Sequence, residues 1–568
     1  MKRKVKYFKR VRNGRTYYYP WVGYSFRNHN GNPDFKREIN LSALPEAEVA
    51  AIDTVLRCGG QAAGSMEEVE FLDSVSFGAE WTALRIAEQL GIVDQLERLD
   101  EKHREAILCM VLDRVVNPKP YSKSALFESL PGSGLERVVA PGGTELKLHD
   151  LYIALERLHE AQSAIQRGLF KAKPRPQRMY LYDITSSYLE GCCCPLADFG
   201  YNRDGKKGKM QIVIGLLTDA EGLPVAVEVF EGNTSDQTTV MGQIDKLRCE
   251  FGIDEMVFIG DRGMLTRPRR ADLQDEDYER IKYITALTRD EMFGFLDNQD
   301  HPLQMGLFDR HNLVEIEHDG VRYVLCFNPE KEQEDRTRRL ELIAKTEEKL
   351  EMIRRNVEAG NWRREKVIAA RLHRWLNRWG MARFFTVDYG EGRFEYRRDH
   401  DTVRAYEAVD GCYVIVSDTS ADELSTEQVR DRYKSLALVE QAFRSMKSTD
   451  LQLRPLRHWT PERVKGHVFM CMLAYMIVWR ARRLFRPLLA ADAAEAERQT
   501  TTTADDRQSV QGTSLRRVWD RLREIKIGTI RIGTRTHQQL KPLTNDLKSM
   551  LNSAGASITG EAVARLGL

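Results

Sequence analysis

Hydrophobic and polar positions change their spacing several times along the chain, and each change predicts a different kind of element. Near the start, Arg15-Thr16-Tyr17-Tyr18-Tyr19 and Trp21-Val22-Gly23-Tyr24-Ser25-Phe26 are rich in aromatic and β-branched residues and predict short strands. From 78 to 171 the apolar residues recur at helical spacing, as in Ala83, Ile86, Ala87, Leu90 and Ile92. The basic, proline-containing stretch 171–178 reads as a linker. Apolar runs then predict strands near 179–184, 210–218 and 223–231, a helix near 236–251, and strands near 255–260 and 281–287. Residues 289–410 interrupt this alternation with strand-like runs at 313–316 and 323–327 and a charged helical hairpin at 331–358 and 362–379. A strand at 413–417 and a helix over 433–447 resume it. After a threonine-rich linker at 499–503, Leu515, Val518, Trp519, Leu522 and Ile525 recur at helical spacing.

Strand, strand, strand, helix, strand is an RNase H-like order. The expected fold is α/β, with the RNase H-like core in two parts, 175–288 and 411–485, interrupted by a strand and helical-hairpin insertion domain at 289–410. A basic β-rich segment at 1–60 and a helical domain at 61–174 precede it, and a helical segment at 486–568 follows. The apolar run 468–479 is shorter than the ~20 residues a bilayer requires and predicts a buried helix rather than a membrane span.

Composition changes this picture in two places. Net charge over the 568 residues is only +2, so bulk charge does not mark a polyanion partner. Its distribution does: residues 1–19 contain Lys2, Arg3, Lys4, Lys6, Lys9, Arg10, Arg12 and Arg15, interleaved with tyrosines and without an acid, a composition suited to phosphate contact. Nine cysteines in so long a chain do not form a disulfide framework, and none of the spacings suggests a zinc site, so they read as reduced cytosolic thiols. The N-terminus has no apolar signal-peptide core.

Three acids carry the candidate chemistry. Asp183 ends the run Met179-Tyr180-Leu181-Tyr182, Asp261 ends Met256-Val257-Phe258-Ile259-Gly260, and Glu440 lies in the middle of the 433–447 helix. Either aspartate alone reads equally as a strand-terminating turn residue. Two strand-end aspartates with a helical glutamate form a set able to hold two divalent metals, which drive in-line attack on a phosphodiester. Tyr433, Glu440 and Lys447 fall seven apart, on nearly one line of a helix. That line gives Glu440 to metal, and Tyr433 and Lys447 to phosphates beside the scissile bond. Asp204 and Asp236 rank lower because neither ends an apolar run. His467, preceded by Arg457, His458, Arg463 and Lys465, reads as a metal-site neighbour, a phosphate contact or a helix cap.

The spacing Tyr433-x2-Leu436-x3-Glu440-x6-Lys447 resembles the Y-x2-R-x3-E-x6-K signature of the IS4 superfamily of DDE transposases. Asp183-Ile184-Thr185 and Gly260-Asp261-Arg262-Gly263 resemble its two aspartate blocks, and the blocks at 200–217 and 229–236 are most similar to the IS1634 (IS1549-like) branch. The resemblance implies a transposase that binds the terminal inverted repeats of an insertion sequence and target DNA, both double-stranded. Asp183, Asp261 and Glu440 would be catalytic and would ligate two Mg²⁺, for which Mn²⁺ substitutes. It also implies a homodimer working on two ends, with no membrane, in a prokaryotic cytoplasm at the nucleoid. Expected DNA contacts are Tyr433, Arg444, Lys447, Arg432, the loop cations Arg203, Lys206, Lys207 and Lys209, and Trp362 in the insertion. The signature arginine is Leu436 here, and Arg432 or Arg444 would have to replace it. Trp362, Trp375 and Trp379 either stack a flipped base or, as the heptad-spaced Ile343, Leu350 and Val357 suggest, seal a hairpin core. The apolar face at 515–525 either joins two subunits or packs on the chain's own core. Two other functions stay open: a metal-dependent DNA nuclease without strand transfer, and a non-catalytic DNA-binding protein derived from a transposase.

Overall fold

The computed structural model describes residues 3–12, 15–28, 30–57, 69–172, 178–191, 193–206, 208–296, 313–378, 380–447, 451–489, 515–532, 535–559 and 563. The chain forms two compact units: one from residues 1–82, 131–143 and 516–568, the other from 83–130 and 144–515.

The larger unit is built on an eight-stranded sheet. Five of its strands are β5 (Met179–Tyr188), β6 (Gln211–Asp219), β7 (Pro224–Phe230), β8 (Met256–Gly260) and β9 (Ile281–Ala286). They lie in the order β7-β6-β5-β8-β9, with β6 antiparallel to both β5 and β7, and β8 and β9 parallel to β5. This is the RNase H-like arrangement that the apolar runs predict. β6 is buried at every position, and β5 at all but three, because the centre of a sheet covered on both faces demands continuous apolar runs. Tyr180, Tyr182, Phe258 and Ile244 are among the side chains of the core beneath it.

The insertion begins later than the sequence suggests. Strands β10 (Leu313–His318) and β11 (Val321–Phe327) belong to the central sheet, where β11 pairs with β14 (Cys412–Ser417) and β14 with β9. Buried Arg322 fixes this edge: it pairs with Glu315 at 2.7 Å and donates to the carbonyls of Thr419, Ser420 and Leu424. Between β11 and β14, the Pro329–Glu358 and Glu365–Arg378 helices pack with the hairpin β12 (Phe385–Gly390)–β13 (Arg393–Arg398). Ile343, Leu350 and Val357 are buried in that core, as heptad spacing requires.

The smaller unit corrects two expectations. Residues 1–40 form the antiparallel sheet β1 (Arg3–Arg12), β2 (Arg15–Arg27) and β3 (Pro33–Asn40). The C-terminal segment is not all helical: β15 (Lys526–Ile532) and β16 (Arg535–Leu540) form a hairpin that pairs with β4 (Val69–Ser76), itself a strand inside the stretch read as helical. Neither strand is a long apolar run, so each is specified by pairing across more than 400 residues, which local periodicity does not report. Leu515, Val518, Trp519, Leu522 and Ile525 are all buried in the chain, so this face is covered without a second subunit.

The run 468–479 lies in the Pro461–Leu484 helix, buried almost continuously from Val464 to Val478. Among the described residues no helix is long and apolar enough to cross a membrane. Gly466 of this helix is a close-approach position: a Cβ there would lie 2.0 Å from the Leu155 carbonyl oxygen. Helix propensity alone would favour Gly466→Ala by about 1 kcal/mol. The backbone oxygen has no rotamer to yield, so overpacking of about 1–3 kcal/mol wins and the variant should melt below the wild-type chain in a thermal scan.

Candidate functional site

β5 and β8 run parallel with Tyr182 opposite Gly260, so the next residues stand side by side: Asp261 just past the end of β8, and Asp183 in the middle of β5, which runs on to Tyr188 rather than ending at the acid as the apolar run suggests. Neighbouring strands are about 4.8 Å apart, which brings the two carboxylates to one edge. Both line a cleft of about 770 Å³, and Glu440 lines it from the opposite wall.

Glu440 reaches the cleft differently from the expected route. The 433–447 segment is not one helix: Thr426–Lys434 ends, and Ala437–Lys447 begins after a tight turn. The turn is made by short-range bonds, Leu436 N to the Tyr433 carbonyl and Val439 N to that of Leu436. Glu440 therefore lies in the first turn of its helix rather than mid-helix, where the positive end of the helix dipole favours a carboxylate. Tyr433 donates its hydroxyl to Asp261 Oδ1 at 3.3 Å from the end of the preceding helix. Burial, followed by the charge of Asp261, pushes the Tyr433 phenol well up.

The cleft is short of positive charge at its acids. Burial and the charges of Asp261 and Glu440 push the half-buried Asp183 carboxyl up to about 7, although the Ile184 amide and Arg203 oppose them. A cluster of oxygen donors that drives a proton onto its buried member suits a hard divalent cation in donor chemistry. Among the described residues, however, no three acidic, histidine or cysteine side chains are close enough to hold one ion as they stand.

The expected phosphate contacts divide. Leu436 lines the cleft, but neither Arg432 nor Arg444 does; Arg430 and Lys434 do instead, because Arg430, Tyr433 and Lys434, at spacings of three and four from Arg430, share a face of the Thr426–Lys434 helix, and Arg432 does not. Lys447 is committed inward. Its Nζ lies 2.5 Å from Thr185 Oγ1 and 3.0 Å from Asp204 Oδ1, and Arg454 Nη1 lies 2.5 Å from the same oxygen. The Asp204 side chain is 2% exposed. Burial lowers the Lys447 ammonium, and Asp204 counteracts it. Arg203 grips Asp236 through both carboxylate oxygens at 2.6 and 2.7 Å, Lys209 pairs with Glu190 at 2.7 Å, and Lys206 sits 6.0 Å from the Tyr188 ring. Lys207 lies outside the described residues.

Trp362 and Trp375 pack against the insertion core, each under a cation: Arg371 at 3.9 Å and Lys349 at 5.7 Å. Trp379 lies outside the described residues. His467 is buried outside the cleft, and burial with nearby Lys123 and Arg114 holds it well below the ordinary histidine range, so it is no phosphate-binding cation.

A feature that sequence reasoning missed adjoins the cleft. A second hollow of about 650 Å³ shares Tyr413 and Tyr433 with the first and is lined by Arg262, Arg289, Lys331, Arg338, Arg339 and Arg383. Asp335 pairs with Arg289 at 2.8 Å and Lys331 at 3.3 Å, and Asp410 with Arg339 at 2.5 Å. The cations come from four separate stretches of chain, and along the Pro329–Glu358 helix acids alternate with them, so no run of sequence displays them.

A carboxylate-lined cleft at the edge of an RNase H-like sheet defines a class, and comparison gives the family. The family described as "Transposase DDE domain" matches residues 190–477, and the chain belongs to it. The match takes in Asp261 and Glu440 and begins after Asp183. No curated protein matches the chain. A solved structure described as a piggyBac transposase synaptic complex with hairpin DNA is 9% identical, over 75% of this chain and 72% of that one, with a TM-score of 0.37.

Two outcomes follow from the site's electrostatics. Between 3.8 and about 7 the folded chain keeps a proton on Asp183 that the unfolded chain has released. Stability therefore falls as pH rises through that window. Without divalent cations, melting temperature should decline across it, and Asp183→Asn should flatten the decline. Separately, Asp204→Ala leaves Lys447 and Arg454 without their counter-charge, and unfolding in urea should show a loss of about 3 kcal/mol.

Proposed function

We propose that this chain is a DNA transposase of the IS4 superfamily, of IS1634 type, that binds the ends of an insertion sequence, cleaves them and transfers the freed 3′ ends into target DNA. The observation that carries the reading is the meeting of Asp183, Asp261 and Glu440 in one cleft, where burial and then the charges of the other two push the Asp183 carboxyl up to about 7. Family membership supports it.

In this reading Asp183, Asp261 and Glu440 hold two Mg²⁺ ions, for which Mn²⁺ substitutes, and these when bound supply activation of the attacking oxygen and stabilisation of the leaving one. The charge of the bound cations would favour the ionised form of Asp183, which burial and the neighbouring carboxylates disfavour without them. Tyr433 orients Asp261 through its hydroxyl. Arg430 and Lys434, on the wall of the cleft, take the phosphate contacts that the signature arginine makes elsewhere. The arginine-lined hollow beyond Tyr413 and Tyr433 continues the path of the DNA backbone away from the acids. Two ends cut in a coordinated way call for a homodimer, with each subunit cutting the end held by its partner.

Replacing Asp183, Asp261 or Glu440 by its amide should abolish end cleavage, by more than the ~10–100-fold typical of outer-shell partners of a metal site. Binding of end DNA should survive, because phosphate contacts are distributed. Equal loss of binding and cleavage would give the acids a structural role. Pre-cut ends test the second step: joining to target DNA identifies a transposase, and cleavage without joining identifies a nuclease. A wild-type chain that neither cuts nor joins in Mg²⁺ or Mn²⁺ is a DNA-binding protein only.

A further inference from the structure

The β1–β2–β3 sheet has two unlike faces. Val5 and Val22, directly paired, point to one side and are buried with Leu41 and Val49 under the Glu46–Arg57 helix. Alternation sends Lys4, Lys6, Phe8 and Arg10 of β1 to the other side, opposite Gly23, Trp21, Tyr19 and Tyr17 of β2. Arg37 and Phe35 of β3 join them, opposite Gly23 and Ser25. No acidic residue occupies these positions, and Lys4, Lys6, Arg10 and Arg37 are exposed.

This second face is layered. Phe35 lies across Gly23, where an added Cβ would sit 2.8 Å from its ring, and packs against Phe8 at 5.7 Å between centroids. The cations lie over that aromatic floor: Arg37 is 4.4 Å from the Phe8 ring and 5.7 Å from Trp21, and Lys6 is 5.4 Å from Phe35 and 5.6 Å from Phe8. Stacking holds the charged groups upright and outermost.

We propose that this face is a duplex-DNA-binding surface that enters the major groove. It deepens the DNA partner named above but rests on this sheet alone and not on cleavage. Width favours the duplex: three strands span about 10 Å across two spacings, against a B-DNA major groove of about 12 Å. Layering argues against a single strand, which binds by stacking bases on free aromatic faces, whereas Phe8, Trp21 and Phe35 already carry cations. A double-stranded RNA partner is disfavoured because its major groove is deep and narrow.

The test uses the full chain and fluorescence anisotropy on a B-DNA duplex and on its separated strand, each over a range of salt. Lys6→Gln with Arg37→Gln removes two charges from the proposed face. Lys9→Gln with Lys36→Gln removes two from exposed positions of the opposite side, paired with Tyr18 and Tyr24. The first pair should weaken duplex binding and lower the salt slope by about 1.8, at about 0.9 per lost phosphate contact, and the second pair should leave the slope unchanged. Lys4→Gln with Arg10→Gln repeats the first measurement at two further exposed positions of β1 and should behave alike. An unchanged slope in the first pair, equal losses from the two faces, or tighter binding of the single strand would each overturn the proposal. Cleavage is not read, so a chain that fails to cut yet shows the face-specific slope removes the transposase reading and leaves this one standing.

Discussion

Three carboxylates without a full complement of positive charge in one cleft are the constraint on which the larger unit depends. A fold driven only by stability would not bring Asp183, Asp261 and Glu440 together, since burial and like charge push a proton onto Asp183. The surroundings nevertheless hold the arrangement. The apolar strands fix Asp183 in mid-β5 beside Asp261 at the end of β8, and a helix N-terminus offers Glu440 a favourable dipole. Cations are plentiful in the unit but are paired elsewhere: Lys447 and Arg454 with Asp204, Arg203 with Asp236, Arg339 with Asp410. The acids keep their repulsion because nearby acids take up the available counter-charge, and a ligand carrying positive charge gains what the protein withholds.

The register of the sheet turns this constraint into geometry. With Tyr182 opposite Gly260, a shift of one residue in either strand would send one aspartate to the other face. Each strand is buried on both sides and has little freedom to slip. The third acid comes from a helix, and the turn at 435–436 separates that helix from the one carrying Tyr433. Two acids fixed by strand register and a third carried on a separate helix share one cleft, at distances too long to hold one ion among the described residues as they stand.

The parts of the fold legible in the sequence were those specified locally. The five core strands announce themselves as apolar runs; Asp261 follows the end of one of them as expected, whereas β5 continues past Asp183 to Tyr188 through pairing with β6. Heptad spacing gave the insertion's core, which is why Trp362 and Trp375 lie packed rather than free. The parts that were not legible depend on distant pairing. β10 and β11 look like the start of an insertion but are claimed by β14 through Arg322 and a ladder about 90 residues away. β4 and β15 meet across more than 400 residues. Helical spacing marked the apolar face at 515–525 without saying what would cover it, and the chain covers it itself.

The same distinction applies to chemistry. Spacing in a motif fixes which residues share a helix face only while the helix continues. Past the turn at 435–436, Tyr433 and Lys447 no longer belong to one surface: the first reaches Asp261, and the second reaches Thr185 and Asp204. Lys447 thus ties the far end of the Glu440 helix to the strand that carries Asp183, two residues along from it. That anchor holds the helix at its C-terminus, while buried Val439 and Ala442 seat its first turns, next to Glu440, against the core. The buried Asp204 pair, outside the cleft and unmarked by any apolar run, thus fixes the helix that carries the third carboxylate to the strand that carries the first.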